Sequence, residues 1–251
     1  MTTSKKTYFA SDFHLGMPNP EESLCREKKI VAWLENIKST AGKLFLVGDV
    51  FDFWFEYEKV IPKGFIRLQG KLAELSDMGI EVYFFSGNHD VWIFDYFKKE
   101  LNLKIYYQPL SLEISGKKFF VAHGDGIESH FSGYKIIKWI FHNRFCQRFF
   151  AFIHPDLGIY FANKWSRHSR KSSDRKGEKF YGEKEWAFEF AKKMETQQHH
   201  DFYVFGHRHF PADLQLNEHS RFINLGDWLN YFTYAVFDGE KMELRKFENG
   251  S

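Results

Sequence analysis

Short apolar runs alternate with amphipathic segments along the first half of the chain. Four runs rich in aromatic and β-branched residues predict buried strands at 8–10, 44–47, 82–85 and 119–122. Two intervening segments keep the three-to-four spacing of an amphipathic helix, with apolar residues at Ile30, Val31, Leu34 and Ile37 and then at Phe65, Leu68, Leu72 and Leu75. Later strands are predicted at 202–205 and 222–225, and a closing hairpin pairs 234–237 with 242–247. This alternation predicts an α/β fold.

The stretch from about 128 to 184 does not continue this alternation of strands and helices. It shows no strand period, and bases are interleaved with aromatic residues over 134–141. We expect a helical insertion that lies over the sheet as a lid. Since no linker or internal repeat is evident in 251 residues, the expected organisation is a single domain, 1–251, with this lid.

Composition adds a few constraints. Aromatic residues make up 20% of the chain, so we expect aromatic surface beyond what a core needs. Cys25 and Cys146 follow no metal or disulfide spacing, which fits a reducing compartment. The polar, basic N-terminus predicts no secretory signal, and no run reaches the roughly 20 apolar residues of a membrane span. The expected location is therefore the cytoplasm, with any membrane contact peripheral.

The distribution of charge says more than the net charge of +2. A basic cluster follows the aromatic run, consisting of Lys164, Arg167, Arg170, Lys171, Arg175, Lys176 and Lys179. Such a cluster can clamp a diphosphate, although a solvated basic loop remains the alternative. The aromatic run 131–161 is either core or a lipid-facing groove, and bases among aromatics also suit an anionic lipid surface.

Polar clusters follow five of the predicted strands. They are Asp12-Phe13-His14, Gly48-Asp49-Val50-Phe51-Asp52, Gly87-Asn88-His89-Asp90, His123-Gly124-Asp125 and Gly206-His207-Arg208-His209. If the segment after the first strand is extended, the alternation turns Asp12 and His14 to the same side. Because ligands collect beyond the carboxyl ends of strands in α/β sheets, we expect all five clusters to form one site. Each cluster alone could be ordinary turn chemistry, but the ordered set of five favours function.

The candidate metal ligands contain nitrogen and oxygen donors and no thiolate. They are Asp12, His14, Asp49, Asn88, His123, His207 and His209. This set suits a pair of divalent ions such as Mn²⁺, Fe or Zn²⁺, of which Mn²⁺ is our expectation, and Asp49 is able to bridge them. Two ions can stabilise both the attacking and the leaving oxygens of a displacement at phosphorus.

The order of the five motifs resembles that of the calcineurin-like metallophosphoesterases over residues 12–209. The resemblance implies a β-sandwich flanked by helices, in α-β-β-α layers. It also implies that Asp12, His14, Asp49 and His209 hold one ion and that Asp49, Asn88, His123 and His207 hold the other. His89 would instead stabilise the phosphoryl oxygens or protonate the leaving group, oriented by Asp52.

Within that superfamily, three sequence motifs are similar to those of the UDP-2,3-diacylglucosamine pyrophosphohydrolases of lipid A synthesis. They are Asp-Phe-His-Leu-Gly, Gly-Asp-Val-Phe-Asp-Phe-Trp and His-Gly-Asp-Gly. The resemblance implies hydrolysis of the UDP-sugar at the α-phosphate, giving UMP and an acylated sugar 1-phosphate. It also implies a peripheral position on the cytoplasmic face of the bacterial inner membrane. One departure is His89, where many members of that branch carry Arg.

The same resemblance implies substrate contacts from the lid and the metal loops. The candidate contacts are Asn88, Ser169, Arg170, Ser173, Lys176 and His207. Three other functions stay open: a nucleotide phosphodiesterase or phosphomonoesterase with a structural lid, a nuclease, or a scaffold without activity. The near-balanced charge argues against nucleic acid as partner, the complete ligand set argues against a scaffold, and no feature indicates an obligate protein partner.

Overall fold

The computed structural model describes residues 5–127, 139–161, 164 and 180–248. A six-stranded sheet has the strand order β11-β10-β1-β2-β3-β4. Its strands are β1 (Lys6–Ala10), β2 (Ala41–Val47), β3 (Glu81–Phe85), β4 (Lys104–Tyr106), β10 (Thr233–Phe237) and β11 (Met242–Lys246). Strands β1 to β4 run parallel, and the β10–β11 hairpin joins β1 antiparallel.

A second sheet has five strands in the order β5-β6-β7-β9-β8. These strands are β5 (Leu110–Ile114), β6 (Lys117–Ala122), β7 (Phe202–Phe205), β8 (Pro211–Gln215) and β9 (Arg221–Leu225). The three central strands are parallel and the two edge strands are antiparallel. Each predicted strand is therefore present, and the ends of the central strands in both sheets carry the polar clusters.

Five helices have both ends within the described residues: α1 (Pro20–Ile37), α2 (Ile66–Asp77), α3 (Tyr96–Leu101), α4 (Arg144–Ala151) and α5 (Trp186–Glu195), with a 3₁₀ turn at Gly182–Lys184. Helix α1 begins where the Asn19 side chain accepts a hydrogen bond from the Glu22 amide, with Pro20 at its first position. Helix α2 has no side-chain cap of its own at Phe65. Instead the buried Glu27 of α1 accepts from the Arg67 and Leu68 amides, which ties the two helices together.

Three apolar layers hold the fold together. Helices α1 to α3 pack on the six-stranded sheet through residues such as Trp33, Leu72 and Phe97. The sheets meet face to face around Phe9 and Phe119, whose ring centroids lie 5.7 Å apart. Helix α5 covers the outer face of the five-stranded sheet. The predicted α-β-β-α layering is confirmed. The sequence of β1 is continuously apolar from Tyr8 to Ala10 because alternate residues face two different apolar layers.

The described part of the insertion is helical. Besides α4, residues 139–142 and 155–161 are helical, and these segments contain no strand. They contact the loops that follow β2 and β3: the Trp92 indole donates to the Phe141 carbonyl over 2.8 Å, and the Phe150 ring lies 4.8 Å from the rings of both Phe55 and Trp92. No helix in the described ranges is long and apolar enough to cross a membrane.

Candidate metal centre

The five polar clusters meet where the carboxyl ends of the parallel strands of both sheets lie side by side. Strands β1, β2 and β3 are neighbours in the first sheet, and β6 and β7 are neighbours in the second. Three groups of His and Asp side chains lie there, and within each group the ligand atoms are all less than 4.8 Å apart. They are Asp12 with His14 and His209, His14 with Asp49 and His89, and Asp49 with His123 and His207. The sequence clusters therefore converge as the strand order requires.

The first group surrounds the carboxylate of Asp12. Its Oδ1 atom lies 3.5 Å from His209 Nε2 and 3.7 Å from His14 Nε2, and these two nitrogens are 3.1 Å apart. Asp12 and His14 are buried, whereas His209 keeps a side-chain exposure of 20%. Three ligand atoms thus point at a common position.

The third group surrounds His123. Its Nε2 atom lies 3.3 Å from Asp49 Oδ2 and 3.3 Å from Asn88 Oδ1, while its Nδ1 lies 2.9 Å from the Val47 carbonyl. A carbonyl only accepts, so the proton is on Nδ1 and Nε2 faces the cluster. Asp49 Oδ2 is also 3.8 Å from His14 Nε2, so this one carboxylate lies between the first and the third group.

The backbone of the site departs from the expected geometry. We expected an extended Asp12-Phe13-His14 segment, and this is wrong because Asp12 and His14 have φ of 55° and 44°. Asp49 and His207 are also left-handed, with φ of 52° and 66°. Such conformations cost about 1–3 kcal/mol each for residues other than Gly and cluster at functional sites. The side chains of Asp12 and His14 converge through this turn rather than through strand alternation.

Two glycines make room for the carboxylates. A Cβ atom at Gly87 would lie 2.1 Å from Asp49 Oδ1, and one at Gly206 would lie 2.9 Å from Asp12 Oδ2. Any larger residue would displace the acidic side chains, so the chain passes close to them only as glycine. The glycines noted in the motifs therefore have a steric reason.

The electrostatics fit a bound cation. Asp12 Oδ1 is buried and has no hydrogen-bond partner within the described residues, so its desolvated charge needs a positive neighbour. The carboxylates and imidazoles around it are hard and borderline donors, which suit a divalent transition metal. The residues present therefore fit a metal site.

The pKa directions agree with this fit for most of the ligands. Burial lowers the pKa of His14 to about 3, and burial with the nearby His123 lowers the pKa of His207 to about 4, so both rings are neutral. Burial alone would raise the pKa of Asp12, but the neighbouring His14 and His209 hold it well below its usual value. Burial would lower the pKa of His123, but Asp49 raises it well above its usual value, so a proton would compete with a cation for Nε2.

His89 belongs to the second of these groups, with His14 and Asp49. Its Nδ1 is 3.1 Å from the main-chain carbonyl of Asp52 and 3.6 Å from Asp52 Oδ1. The expected orientation by Asp52 therefore involves the backbone as well as the carboxylate. Its amide donates to Asp49 Oδ1 over 2.9 Å, and its ring packs edge-on against His14 at 4.9 Å. His89 is thus fixed next to Asp49.

Sequence reasoning gave no role to Asp90, although it stands in the third motif. Its fully buried carboxylate accepts from the amides of Gly87, Val50 and Phe51 at 2.7, 2.8 and 3.3 Å. Burial and the neighbouring Asp49 raise the pKa of Asp90 to about 7. Asp90 therefore joins the metal loops after β2 and β3. Asp227, close to His209, was also missed, although Gly226-Asp227 follows the predicted strand 222–225 as Gly48-Asp49 follows the strand 44–47.

Four predicted substrate contacts, Ser169, Arg170, Ser173 and Lys176, lie outside the described residues. Asn88 and His207 are within the cluster.

Comparisons with known proteins agree with this geometry. The chain is 39% identical to the UDP-2,3-diacylglucosamine hydrolase of Porphyromonas gingivalis W83, over 97% of this chain and 98% of that protein. It is 28% identical to the enzyme of the same name from Proteus mirabilis HI4320, over 96% and 98%. The corresponding Haemophilus influenzae Rd protein is 27% identical, over 93% and 95%. The sequence model of the calcineurin-like phosphoesterases matches residues 5–211, and the chain belongs to that family.

Proposed function

We propose that this chain is a two-metal hydrolase that cleaves the pyrophosphate of UDP-2,3-diacylglucosamine at the α-phosphate. The products are UMP and 2,3-diacylglucosamine 1-phosphate, an intermediate of lipid A biosynthesis. The observation that carries the proposal is the convergence of nitrogen and oxygen ligands around Asp49 at the joined ends of both sheets. Full-length similarity to hydrolases named for this substrate supports the choice of substrate.

In this proposal, Asp49 is shared by two divalent ions. One ion is held by Asp12, His14, Asp49 and His209, and the other by Asp49, Asn88, His123 and His207. The 3.3 Å and 3.8 Å distances from Asp49 Oδ2 to His123 and His14 support a bridging role. Mn²⁺ is the proposed ion because mixed carboxylate, amide and imidazole donors suit it, with Fe and Zn²⁺ as the other candidates.

The two ions, when bound, activate an attacking water and stabilise the oxygens of the in-line displacement at phosphorus. The chain itself supplies the remaining steps. His89, whose Nδ1 donates to the Asp52 carbonyl, would present Nε2 to the α-phosphate. Because Nδ1 keeps its proton in this bond, His89 acts in this proposal as an imidazolium, whose Nε2–H stabilises a phosphoryl oxygen or passes its proton to the leaving group. Asn88 and His207 face the same phosphate.

Residues 128–184 act as a substrate-binding lid in this proposal. The acyl chains lie against aromatic residues of the insertion, such as Trp139 and Phe141. Support comes from the Trp92–Phe141 hydrogen bond and from the contacts of Phe150 with Phe55 and Trp92. These contacts tie the insertion to the loops that carry Asp52 and His89. Ser169, Arg170, Ser173 and Lys176 are assigned to the diphosphate side of the substrate.

The lid predicts that affinity follows acyl-chain length. Each buried CH₂ contributes about 0.8 kcal/mol, so each methylene removed should raise KM by up to about fourfold. The double variant Arg170→Ala/Lys176→Ala should impair hydrolysis of the acylated substrate while cleavage of a small aryl phosphodiester stays near wild type. Steady-state kinetics on both substrates measures this.

The matched control is Lys241→Ala/Lys246→Ala, which removes two exposed bases from the β10–β11 hairpin. It should leave both substrates unaffected. A KM independent of chain length would refute the apolar part of the lid. Equal losses on the small and the acylated substrate in the Arg170/Lys176 variant would show damage to the fold instead.

The same insertion is proposed to rest on an anionic membrane surface. On and beside α4, the side chains of Phe145, Phe149 and Phe152 are 80%, 75% and 91% exposed, and Arg144 and Arg148 are exposed among them. Aromatic and basic residues together suit the interface of an anionic bilayer. The proposed location is accordingly the cytoplasmic face of the bacterial inner membrane, without an obligate protein partner.

Vesicle co-sedimentation tests this contact. Wild-type protein should sediment with vesicles containing phosphatidylglycerol and much less with zwitterionic ones, and Phe149→Ser/Phe152→Ser should weaken the binding about tenfold or more. Ile66→Ser/Met78→Ser, which removes two exposed apolar side chains at the first residue and at the C-cap of α2, is the control. Equal binding of the two double variants would rule out this face as the contact.

A nucleotide phosphodiesterase or phosphomonoesterase of the same fold is the alternative. Turnover assays with Mn²⁺ on UDP-2,3-diacylglucosamine and on small nucleotide esters distinguish the two, together with mass analysis of lipid that copurifies. Preferred turnover of the acylated substrate, or a bound acylglucosamine 1-phosphate, supports the proposal. Turnover of small nucleotides alone would replace it with the alternative.

A further inference from the structure

A buried carboxylate lies behind the proposed ligand His209. Asp227 is fully buried in the loop that follows β9, and its Oδ2 is 3.6 Å from His209 Nδ1. On the other side of the ring, His209 Nε2 is 3.5 Å from Asp12 Oδ1 and 3.1 Å from His14 Nε2. The imidazole therefore stands between Asp227 and the metal cluster.

Asp227 is held rigidly. Its Oδ1 accepts from the amides of Asn230 and Tyr231 at 2.8 and 3.0 Å, and its Oδ2 accepts from Asn230 Nδ2 at 3.2 Å. The next residue, Trp228, donates its amide to the carbonyl of Asp12 over 3.1 Å. The loop that carries Asp227 is thus fastened to the loop that carries Asp12, and the carboxylate cannot turn away from His209 without losing these bonds.

We propose that Asp227 is a positioning residue that holds His209 with Nε2 toward Asp12 and His14. At 3.6 Å the contact is an ion-pair distance and longer than a hydrogen bond, so it acts through charge and orientation. A carboxylate behind a metal-binding imidazole fixes which nitrogen carries the proton. It also makes the other nitrogen more basic and therefore a stronger metal ligand. The inference rests on the proposed ligand role of His209.

The variant Asp227→Asn tests it. Asn keeps an acceptor for the Asn230 and Tyr231 amides but removes the negative charge. Calorimetric titration of metal-free protein with Mn²⁺ should show one ion bound about 10–100-fold more weakly, the usual effect of losing such a partner, and the other unchanged. The Tm of the metal-free variant should stay close to wild type. The control Asp213→Asn alters a partly exposed carboxylate paired with Arg221 and should bind both ions normally.

A double-mutant cycle with His209→Ala separates positioning from general support. Once His209 is absent, adding Asp227→Asn should cause no further loss of ion affinity. Unchanged affinity in Asp227→Asn, equal weakening of both ions, or additive losses in the cycle would each overturn the inference. Binding of fewer than two ions by the wild-type protein would overturn the proposed function and, with it, this inference; normal wild-type binding with any of the three outcomes above would overturn the inference alone.

Discussion

Replacing Asp49 by Asn should reduce bound metal below two ions per chain and lower turnover by at least about 10³-fold. The metal contribution amounts to several kcal/mol, and each 1.36 kcal/mol is a factor of ten in rate. Asp49 is the carboxylate between the Asp12 group and the His123 group, since its Oδ2 is 3.3 Å from His123 Nε2 and 3.8 Å from His14 Nε2. Its loss should therefore affect both ions, unlike the loss of a ligand from one group.

Asn is a better substitution here than Ala. Asp49 has φ of 52°, a left-handed conformation that Asn adopts more readily than Ala. Asn also keeps an oxygen for the His89 amide, which Asp49 Oδ1 accepts over 2.9 Å. The change then removes charge with little added strain. Elemental analysis and kinetics measure the outcome, with the exposed Asp77→Asn on α2 as control. An active Asp49→Asn protein with two full sites would contradict the assignment.

For His89→Ala we expect a different pattern: both ions retained, with turnover lower by roughly 10²–10⁴-fold, the usual range for a lost acid–base group. The reason is that His89 contacts the site through its amide and its ring, next to the ligands rather than among the assigned ones. Metal content and kcat measured on the same preparation test this directly.

The geometry also supplies the competing outcome. His89, His14 and Asp49 have ligand atoms within 4.8 Å of one another, so His89 could itself hold an ion. Loss of one ion in His89→Ala would establish that role and refute ours. The variant His89→Arg distinguishes two roles of His89. Its turnover should exceed that of His89→Ala if His89 acts by its charge on the phosphoryl oxygens, and it should be as low as that of His89→Ala if His89 donates a proton.

The strands that carry the site could be predicted from sequence because they are buried on both faces. Residues 44–47 and 202–205 are apolar throughout and end directly before Gly48-Asp49 and Gly206-His207. A continuous apolar run is typical of a strand that is buried on both faces, and a polar cluster directly after it marks the end of that strand. The strands, and the common site at their carboxyl ends, could therefore be predicted from this pattern.

Three strands were missed, and all of them lie at sheet edges: β4, β5 and β8. Strand β5 is only partly buried along Leu110–Ile114, and β8 begins with Pro211 and carries Asp213. Edge strands pair on one side and tolerate Pro and charge, so their pattern is weak. The fourth edge, β11, was found because its hairpin turn Asp238-Gly239 is a strong local signal.

The backbone of the site could not be predicted. Nothing in the order Asp-Phe-His distinguishes an extended segment from the left-handed turn at Asp12 and His14, since the tertiary contacts impose the turn. The position of Asp227 was visible in the sequence, since Gly226-Asp227 follows the strand 222–225, but its partner was not. Its relation to His209 depends on β9 lying beside β7 in the second sheet, which the sequence alone does not state.

Hydrolysis of UDP-2,3-diacylglucosamine in water labelled with oxygen-18 tests the central claim most directly. If the chain directs water to the α-phosphate, mass spectrometry should find the label in UMP and none in the acylated sugar 1-phosphate. Label in the sugar phosphate would mean attack at the β-phosphate and would contradict the proposed geometry. Absence of turnover, in a preparation that cleaves small nucleotide esters, would contradict the proposed substrate.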